Sequence, residues 1–235
     1  MKVIILAGGE GTRLREIIKD IPKPMAPIAN KPFLEYLILQ VVKWNINEIV
    51  LSVGYKKEII KSYFITGDTW GVKILYSEEV EPLGTGGAIK KAAKLIDDED
   101  FVVMNGDSFL DVDFNQLIIF HKSRQSTTTM GLMYVDSTNR YGRVAIDDKG
   151  NVIGFLEKGI DVSGLVNGGI YVFNRKIIDK IPDGKVSLEK EILPKLINQG
   201  LYGIETKGFF IDIGVPKDYL DLCKNSQKLI NALGN

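Results

Sequence analysis

The chain has almost no residues that carry thiol or imidazole chemistry: Cys223 is its only cysteine and His121 its only histidine. One cysteine excludes an intrachain disulfide, and a reducing compartment is the simpler setting, so a cytoplasmic location is expected. A zinc cluster of cysteines and histidines cannot be assembled from so few ligands. No serine–histidine pair shows evident activation. The Phe120-His121-Lys122 context reads as the end of a helix and not as a catalytic base. Cys223 reads as a small buried residue on a C-terminal helix.

Net charge is missing too, because 30 lysines and arginines balance 30 aspartates and glutamates. A nucleic-acid binder usually carries a basic surplus, and the aromatics here are not set among basic residues, so no nucleic-acid partner is expected. The opening apolar run Val3-Ile4-Ile5-Leu6-Ala7 is closed by Gly8-Gly9. It is too short for a signal-peptide core or a membrane span, and no membrane partner is expected. There is no repeat, low-complexity tract or linker. The 235 residues therefore read as a single domain.

What is present is a rhythm. Strands are expected at Val3–Leu6, Glu48–Val53, Val72–Tyr76 and Phe101–Asn105, alternating with helices at Phe33–Trp44, Lys56–Phe64 and Gly86–Ile96. Such alternation implies an α/β fold, a parallel sheet covered by helices on both faces. Strands at Thr127–Val135, Arg143–Ile146, Val152–Glu157 and Val166–Phe173 follow, with a hairpin turn at 147–151. Helices at Arg175–Lys180 and Leu188–Asn198, short strands at Leu201–Glu205 and Phe209–Ile211, and a helix opened by Pro216 and running to about Ile230 complete the reading. Residues 1–110 thus read as one half of the domain, 111–215 as a second half in which strands predominate, and 216–231 as a closing helix.

Gly8-Gly9-Glu10-Gly11-Thr12-Arg13-Leu14 leaves the first strand directly. Three glycines in four positions let backbone N–H groups approach a phosphate closely. The loop lacks the Gly-Lys-Ser/Thr ending of a Walker A loop. It also lacks the third glycine of a dinucleotide loop, because Leu14 stands there, and Ser52-Val53-Gly54 offers no acid at the end of the second strand. Arg13 supplies a permanently charged fork for phosphate oxygens, and Pro22 and Pro24 hold Lys23 on a stiff segment.

Gly8-Gly9-x-Gly11-Thr12-Arg13-Leu14 followed by Lys23-Pro24-Met25 resembles the signature of the sugar nucleotidyltransferase family. The resemblance extends to about Asp218. It implies a Rossmann-like fold with a mixed, mostly parallel sheet flanked by helices. It also implies an activity that makes nucleotide sugars from a nucleoside triphosphate and a sugar 1-phosphate. Arg13, Lys23 and Asp107 are then the expected catalytic residues. The expected nucleotide contacts are Leu6, Ala7, Gly8, Gly9, Gly11, Thr12, Arg13 and Lys23, then Glu79, Pro82, Gly84 and Thr85, then Asn105 and Gly106. The segment Glu81 to Ala88 binds the base in family members, and Glu79 falls where similar enzymes place a base-reading side chain. A carboxylate only accepts hydrogen bonds, whereas guanine offers donors at N1 and N2, so Glu79 favours GTP.

Asp107 and Asp212 each close a strand, and together they read as a pair that holds Mg²⁺, which takes a few carboxylates plus phosphate oxygens and water. The family uses an Asp from each of these motifs in that role. Tyr141, Gly142, Glu157, Lys158, Asn167 and Gly168 resemble the family's sugar-phosphate segments. Gly159 replaces the proline that often follows the lysine. The sequence leaves a homo-oligomer open.

Overall fold

The structure is a computed structural model that describes residues 1–14, 16–156, 159 and 162–234. The chain begins with β1 (Val3–Leu6), then a two-stranded finger of β2 (Pro27–Ile28) and β3 (Lys31–Pro32). Next come α1 (Phe33–Lys43), β4 (Glu48–Val53), α2 (Lys57–Phe64), β5 (Lys73–Glu78), α3 (Gly84–Ala92) and β6 (Asp100–Asn105). After these lie β7 (Ser108–Leu110), α4 (Phe114–Ser123), β8 (Thr128–Val135), β9 (Arg143–Ile146), β10 (Val152–Leu156) and β11 (Gly164–Asn174). The chain ends with β12 (Leu201–Thr206), β13 (Phe210–Asp212), α5 (Pro216–Lys224) and α6 (Gln227–Ala232).

Among the described residues nine strands form one sheet in the order β10-β9-β11-β6-β1-β4-β5, with β8 paired to β11 and β12 to β8. The block β5-β4-β1-β6 is parallel, and β11 adds to β6 in the antiparallel sense. The alternation of side chains along a strand divides the core in two. Val3 and Ile5 pack with Phe33, Leu37 and Ile60 of α1 and α2, whereas Ile4 between them packs with Ile89 and Ala92 of α3 and with Phe101 and Tyr171. Helices on both faces are therefore needed to cover β1, whose Val3, Ile4 and Ile5 are fully buried. Among the described residues no helix is long and apolar enough to cross a membrane.

Local chemistry accounts for several boundaries. Asp113 caps α4 by accepting from the Gln116 N–H at 3.1 Å. The Asp147 carboxylate accepts from the Lys149 and Asn151 amides and closes the expected turn between β9 and β10.

Four expectations require correction. The helix expected over Leu188–Asn198 is a π turn, Leu188–Ile192, followed by a 3₁₀ turn, Leu193–Leu196. Pro194 has no N–H to continue an α-helical ladder, which breaks the regular repeat there. The C-terminal helix is two helices, interrupted at Asn225, whose φ of −122° is not helical. Arg175–Lys180 is also 3₁₀. Cys223 is exposed on α5 and not buried.

Candidate active site

The parallel strands release their loops into one cleft of about 570 Å³. Leu6 ends β1, Glu79 follows β5, Asn105 ends β6, and Gly106 and Asp107 follow it, and all five line the cleft. The crevice beyond the carboxyl ends of strands is where open α/β sheets bind ligands.

The glycine loop forms one wall. Gly8, Gly9, Gly11, Thr12 and Arg13 line the cleft. Gly11 has φ +59°, and a Cβ there would lie 2.7 Å from the Cβ of Lys23. Only glycine lets the loop fold down on that lysine. A Cβ on Gly8 would meet Glu79 Oε1 at 2.4 Å, so the loop's first glycine makes room for the Glu79 carboxylate. That carboxylate accepts from the Leu83 N–H at 2.9 Å and lies 3.3 Å from the Ser52 hydroxyl. Arg13 is exposed on the 3₁₀ turn Thr12–Leu14, with no ion-pair partner among the described residues.

Lys23 begins a 3₁₀ turn entered from Pro22 in extended conformation, and its side chain is only 8% exposed. Its Nζ lies 2.6 Å from Asp107 Oδ2. Asp212 comes to the same place through a short ladder. β13 pairs antiparallel with β7, so that Asp212 faces Ser108, and the Ile213 N–H donates to the Asp107 carbonyl at 2.9 Å. Asp212 Oδ1 accepts from the Gly214 N–H at 2.6 Å. Burial pushes the Asp212 carboxyl above its ordinary value, and the Asp107 charge pushes it the same way; the Lys23 ammonium opposes both.

The Lys23 ammonium thus pairs with Asp107, and both carboxylates line the cleft with it. Two carboxylates with room left for phosphate oxygens and water suit Mg²⁺. Among the described residues no group of three or more Asp, Glu, His or Cys side chains could hold a metal alone. A cation there would therefore depend on substrate oxygens for the rest of its shell.

Of the expected nucleotide contacts, all but Ala7 line this cleft; Ala7 is fully buried behind it. Arg13, Lys23, Asp107 and Asp212 are brought together. Tyr141, Gly142, Asn167 and Gly168 are not part of that lining. Tyr141 packs edge-on against Phe210 of β13, and burial, with Asp212 as a further cause, pushes its hydroxyl up to about 12. Asn167 donates to the Tyr171 hydroxyl at 2.6 Å and accepts from the Gly169 N–H. Gly168 is buried against Leu110, and Gly142 lies beside the Leu156 carbonyl. Glu157 and Lys158 lie outside the described residues. His121 is buried against Thr129 and lines a different hollow.

A sequence model of the family described as nucleotidyl transferase matches residues 2–228. The chain belongs to this family. It is 42% identical over 233 residues to the D-glycero-alpha-D-manno-heptose 1-phosphate guanylyltransferase of Aneurinibacillus thermoaerophilus, covering 98% of this chain and 100% of that protein. Identity to the protein of the same description from Campylobacter jejuni is 44% over 227 residues, 96% of this chain and all of that one. The crystal structure of HddC from Yersinia pseudotuberculosis superposes with a TM-score of 0.85 at 39% identity, covering 96% and 99% of the two chains. A second HddC structure, complexed with GMP-PN, superposes equally well. These likenesses bear out the expected nucleotidyltransferase fold.

Sequence reasoning missed part of this nucleotidyl transferase's cleft. Lys185 and Glu189 line it although they lie about 100 residues beyond Gly84 and Thr85. The Val186 N–H donates to the Leu83 carbonyl at 2.8 Å, and the Gly86 N–H to the Val186 carbonyl at 2.9 Å, which docks the two segments. No spacing or composition signals such a pairing.

Proposed function

We propose that the chain transfers GMP from GTP to a sugar 1-phosphate, D-glycero-α-D-manno-heptose 1-phosphate, giving the GDP-sugar and pyrophosphate. The observation that carries this reading is the gathering of Arg13, Lys23, Asp107 and Asp212 around one cleft at the carboxyl ends of the parallel strands. Two full-length relatives above 40% identity bear the heptose 1-phosphate guanylyltransferase description, which supports that substrate pair.

In this reading a phosphate oxygen of the sugar 1-phosphate attacks the α-phosphorus of GTP, and the bond to the β-phosphate breaks with its electron pair leaving on pyrophosphate. The nucleophile is already anionic, so catalysis rests on positioning and charge and needs no general base. Arg13 and the loop amides hold the phosphate tail. Lys23 shifts from its pairing with Asp107 toward the developing charge. Asp107 and Asp212 would hold Mg²⁺, which would supply Lewis-acid stabilisation of phosphate charge. Glu79, against the Leu83 amide at the base end, accepts from the N1 and N2 donors of guanine. Tyr141, Gly142, Asn167, Gly168, Glu157 and Lys158 serve the sugar phosphate, and residues 1–110 and 111–215 divide the two substrates between them.

A cytoplasmic setting suits these water-soluble substrates. Mannose-1-phosphate guanylyltransferase of Mycobacterium tuberculosis is 37% identical over 222 residues, 92% of this chain, but this chain covers only 62% of that protein. A matrix of GTP, UTP, dTTP and CTP against heptose, mannose and N-acetylmuramate 1-phosphates, read by Mg²⁺-dependent pyrophosphate release, tests the proposal. The highest kcat/KM should fall on GTP with the heptose. A clear preference for a pyrimidine nucleotide would end the Glu79 argument, and nucleotide binding with no turnover in any cell would indicate a sensor.

A further inference from the structure

Glu189 is a cleft residue that the scheme above leaves without a role. Its orientation is set from the base side. Thr85 Oγ1 donates to Glu189 Oε2 at 2.7 Å while accepting from the Leu188 N–H at 2.8 Å. The Ser187 hydroxyl lies 3.3 Å from the same Oε2. Oε1 has no hydrogen-bond partner among the described residues, and the side chain is neither buried nor fully exposed. A carboxylate with one oxygen fastened and the other unengaged in a substrate cleft is preorganised to accept a hydrogen bond.

Its location narrows the donor. At one end Glu189 touches Thr85 of the base-side loop. At the other the cleft it lines runs on to Asn105, Asp107 and Asp212. Glu189 therefore lines the same cleft as Thr85 and Asp107, the cleft that in the proposed reading holds a nucleotide's ribose and the ring of an attacking sugar phosphate. Both rings offer hydroxyl donors, and neither offers a cation for the carboxylate to pair with.

We propose that Glu189 is a specificity-determining residue that accepts, through Oε1, a hydrogen bond from a ring hydroxyl of a bound substrate, while Thr85 holds the carboxylate in place. The inference rests on the guanylyltransferase reading but is tested separately from it. Glu189→Gln keeps an oxygen for Thr85 and replaces Oε1 by an N–H₂ donor, so the clamp survives while the acceptor is lost. Binding of GTP alone and of heptose 1-phosphate alone is measured by calorimetry on wild type and variant, with thermal unfolding as the control for the clamp.

A hydrogen bond to a charged group corresponds to about a tenfold to hundredfold change in affinity. If the ribose is the donor, GTP binding weakens by that factor in Glu189→Gln, and one of 2′-deoxy-GTP and 3′-deoxy-GTP binds both proteins equally. If the sugar is the donor, GTP binding is unchanged and heptose 1-phosphate binding weakens instead. Thr85→Val, which frees the carboxylate, should give a smaller loss on the same substrate. Wild-type affinity for both substrates in Glu189→Gln would overturn the proposal and leave Glu189 as a clamp only. Failure of the parent reading would show differently, as absence of pyrophosphate release in the wild type.

Discussion

Asp212→Asn should stabilise the protein while removing most of its activity. Asp212 is held beside Asp107 by the β7–β13 ladder, and its carboxyl is pushed upward first by burial and then by the Asp107 charge. An acid whose native value lies above its unfolded value binds its proton more tightly in the folded state. Its contribution is complete below the unfolded value, near 3.8, and is lost as pH rises through the raised native value. At neutral pH the ionised carboxylate is therefore a cost to folding. Asparagine removes the charge and still offers an oxygen to the Gly214 N–H, which Asp212 now holds at 2.6 Å. Substitutions that relieve an unfavourable charge commonly gain about 0.5–2 kcal/mol. Each kcal/mol raises Tm by about 2–4 °C in a domain of this size. Thermal denaturation with EDTA, from pH 3.5 to 8, should show the variant ahead at neutral pH and the gap closing toward acid. Adding Mg²⁺ with GTP should raise the wild-type Tm by mass action and the variant's much less. Pyrophosphate release should fall by about 10²-fold or more, judged from other charge-stabilising groups. A variant less stable than wild type at pH 7.5 in EDTA, or a gap that ignores pH, would refute the reasoning.

Arg13→Ala and Lys23→Ala should each lower turnover by about 10²-fold, and near-normal pyrophosphate release in both would remove them from the mechanism. Only Lys23→Ala should also lower Tm in EDTA. It strips the counter-charge from Asp107, by less than the ~3 kcal/mol of a fully buried pair because Asp107 is 43% exposed. Glu79→Gln should reduce the kcat/KM preference for GTP over UTP by about tenfold, the lower end for a lost charged hydrogen bond, and steady-state kinetics on both nucleotides decide it. His121 is pulled below 6.5, chiefly by burial, so its contribution is whole above that value and declines as pH falls through 6.5 toward the native value. His121→Gln should flatten the acid side of a Tm profile measured between pH 5 and 7, and an unaltered slope would mean that His121 does not set it.

The inner strands of the parallel block were legible because each one must be apolar on both faces. Val3-Ile4-Ile5-Leu6 can only be a buried strand when helices cover both sides, and Glu48–Val53 matches its expected limits to the residue. The C-terminal helices were less legible. The interruption at Asn225-Ser226 carries no proline or glycine, and Pro194 marked a break whose consequence, a π turn before it, no propensity foretells. The charged residues of the cleft were visible for a different reason. Arg13 and Lys23 stand among glycines and prolines that have little use in an ordinary surface segment.

Their convergence was not visible in the same way. It depends on β7 and β13, strands of three residues each, whose register sets Asp212 opposite Ser108 and hence beside Asp107. Two three-residue strands separated by about 100 residues have no periodicity from which a register could be read. The same limit hid Glu189. It reaches the cleft because Val186 forms backbone hydrogen bonds with Leu83 and Gly86, and backbone donors and acceptors are identical at every non-proline residue. Side-chain chemistry marks which residues can act on a phosphate, but main-chain pairing decides which of them share a pocket. A substitution that disturbs the β7–β13 ladder without touching a charge should therefore cost activity through the separation of Asp107 from Asp212.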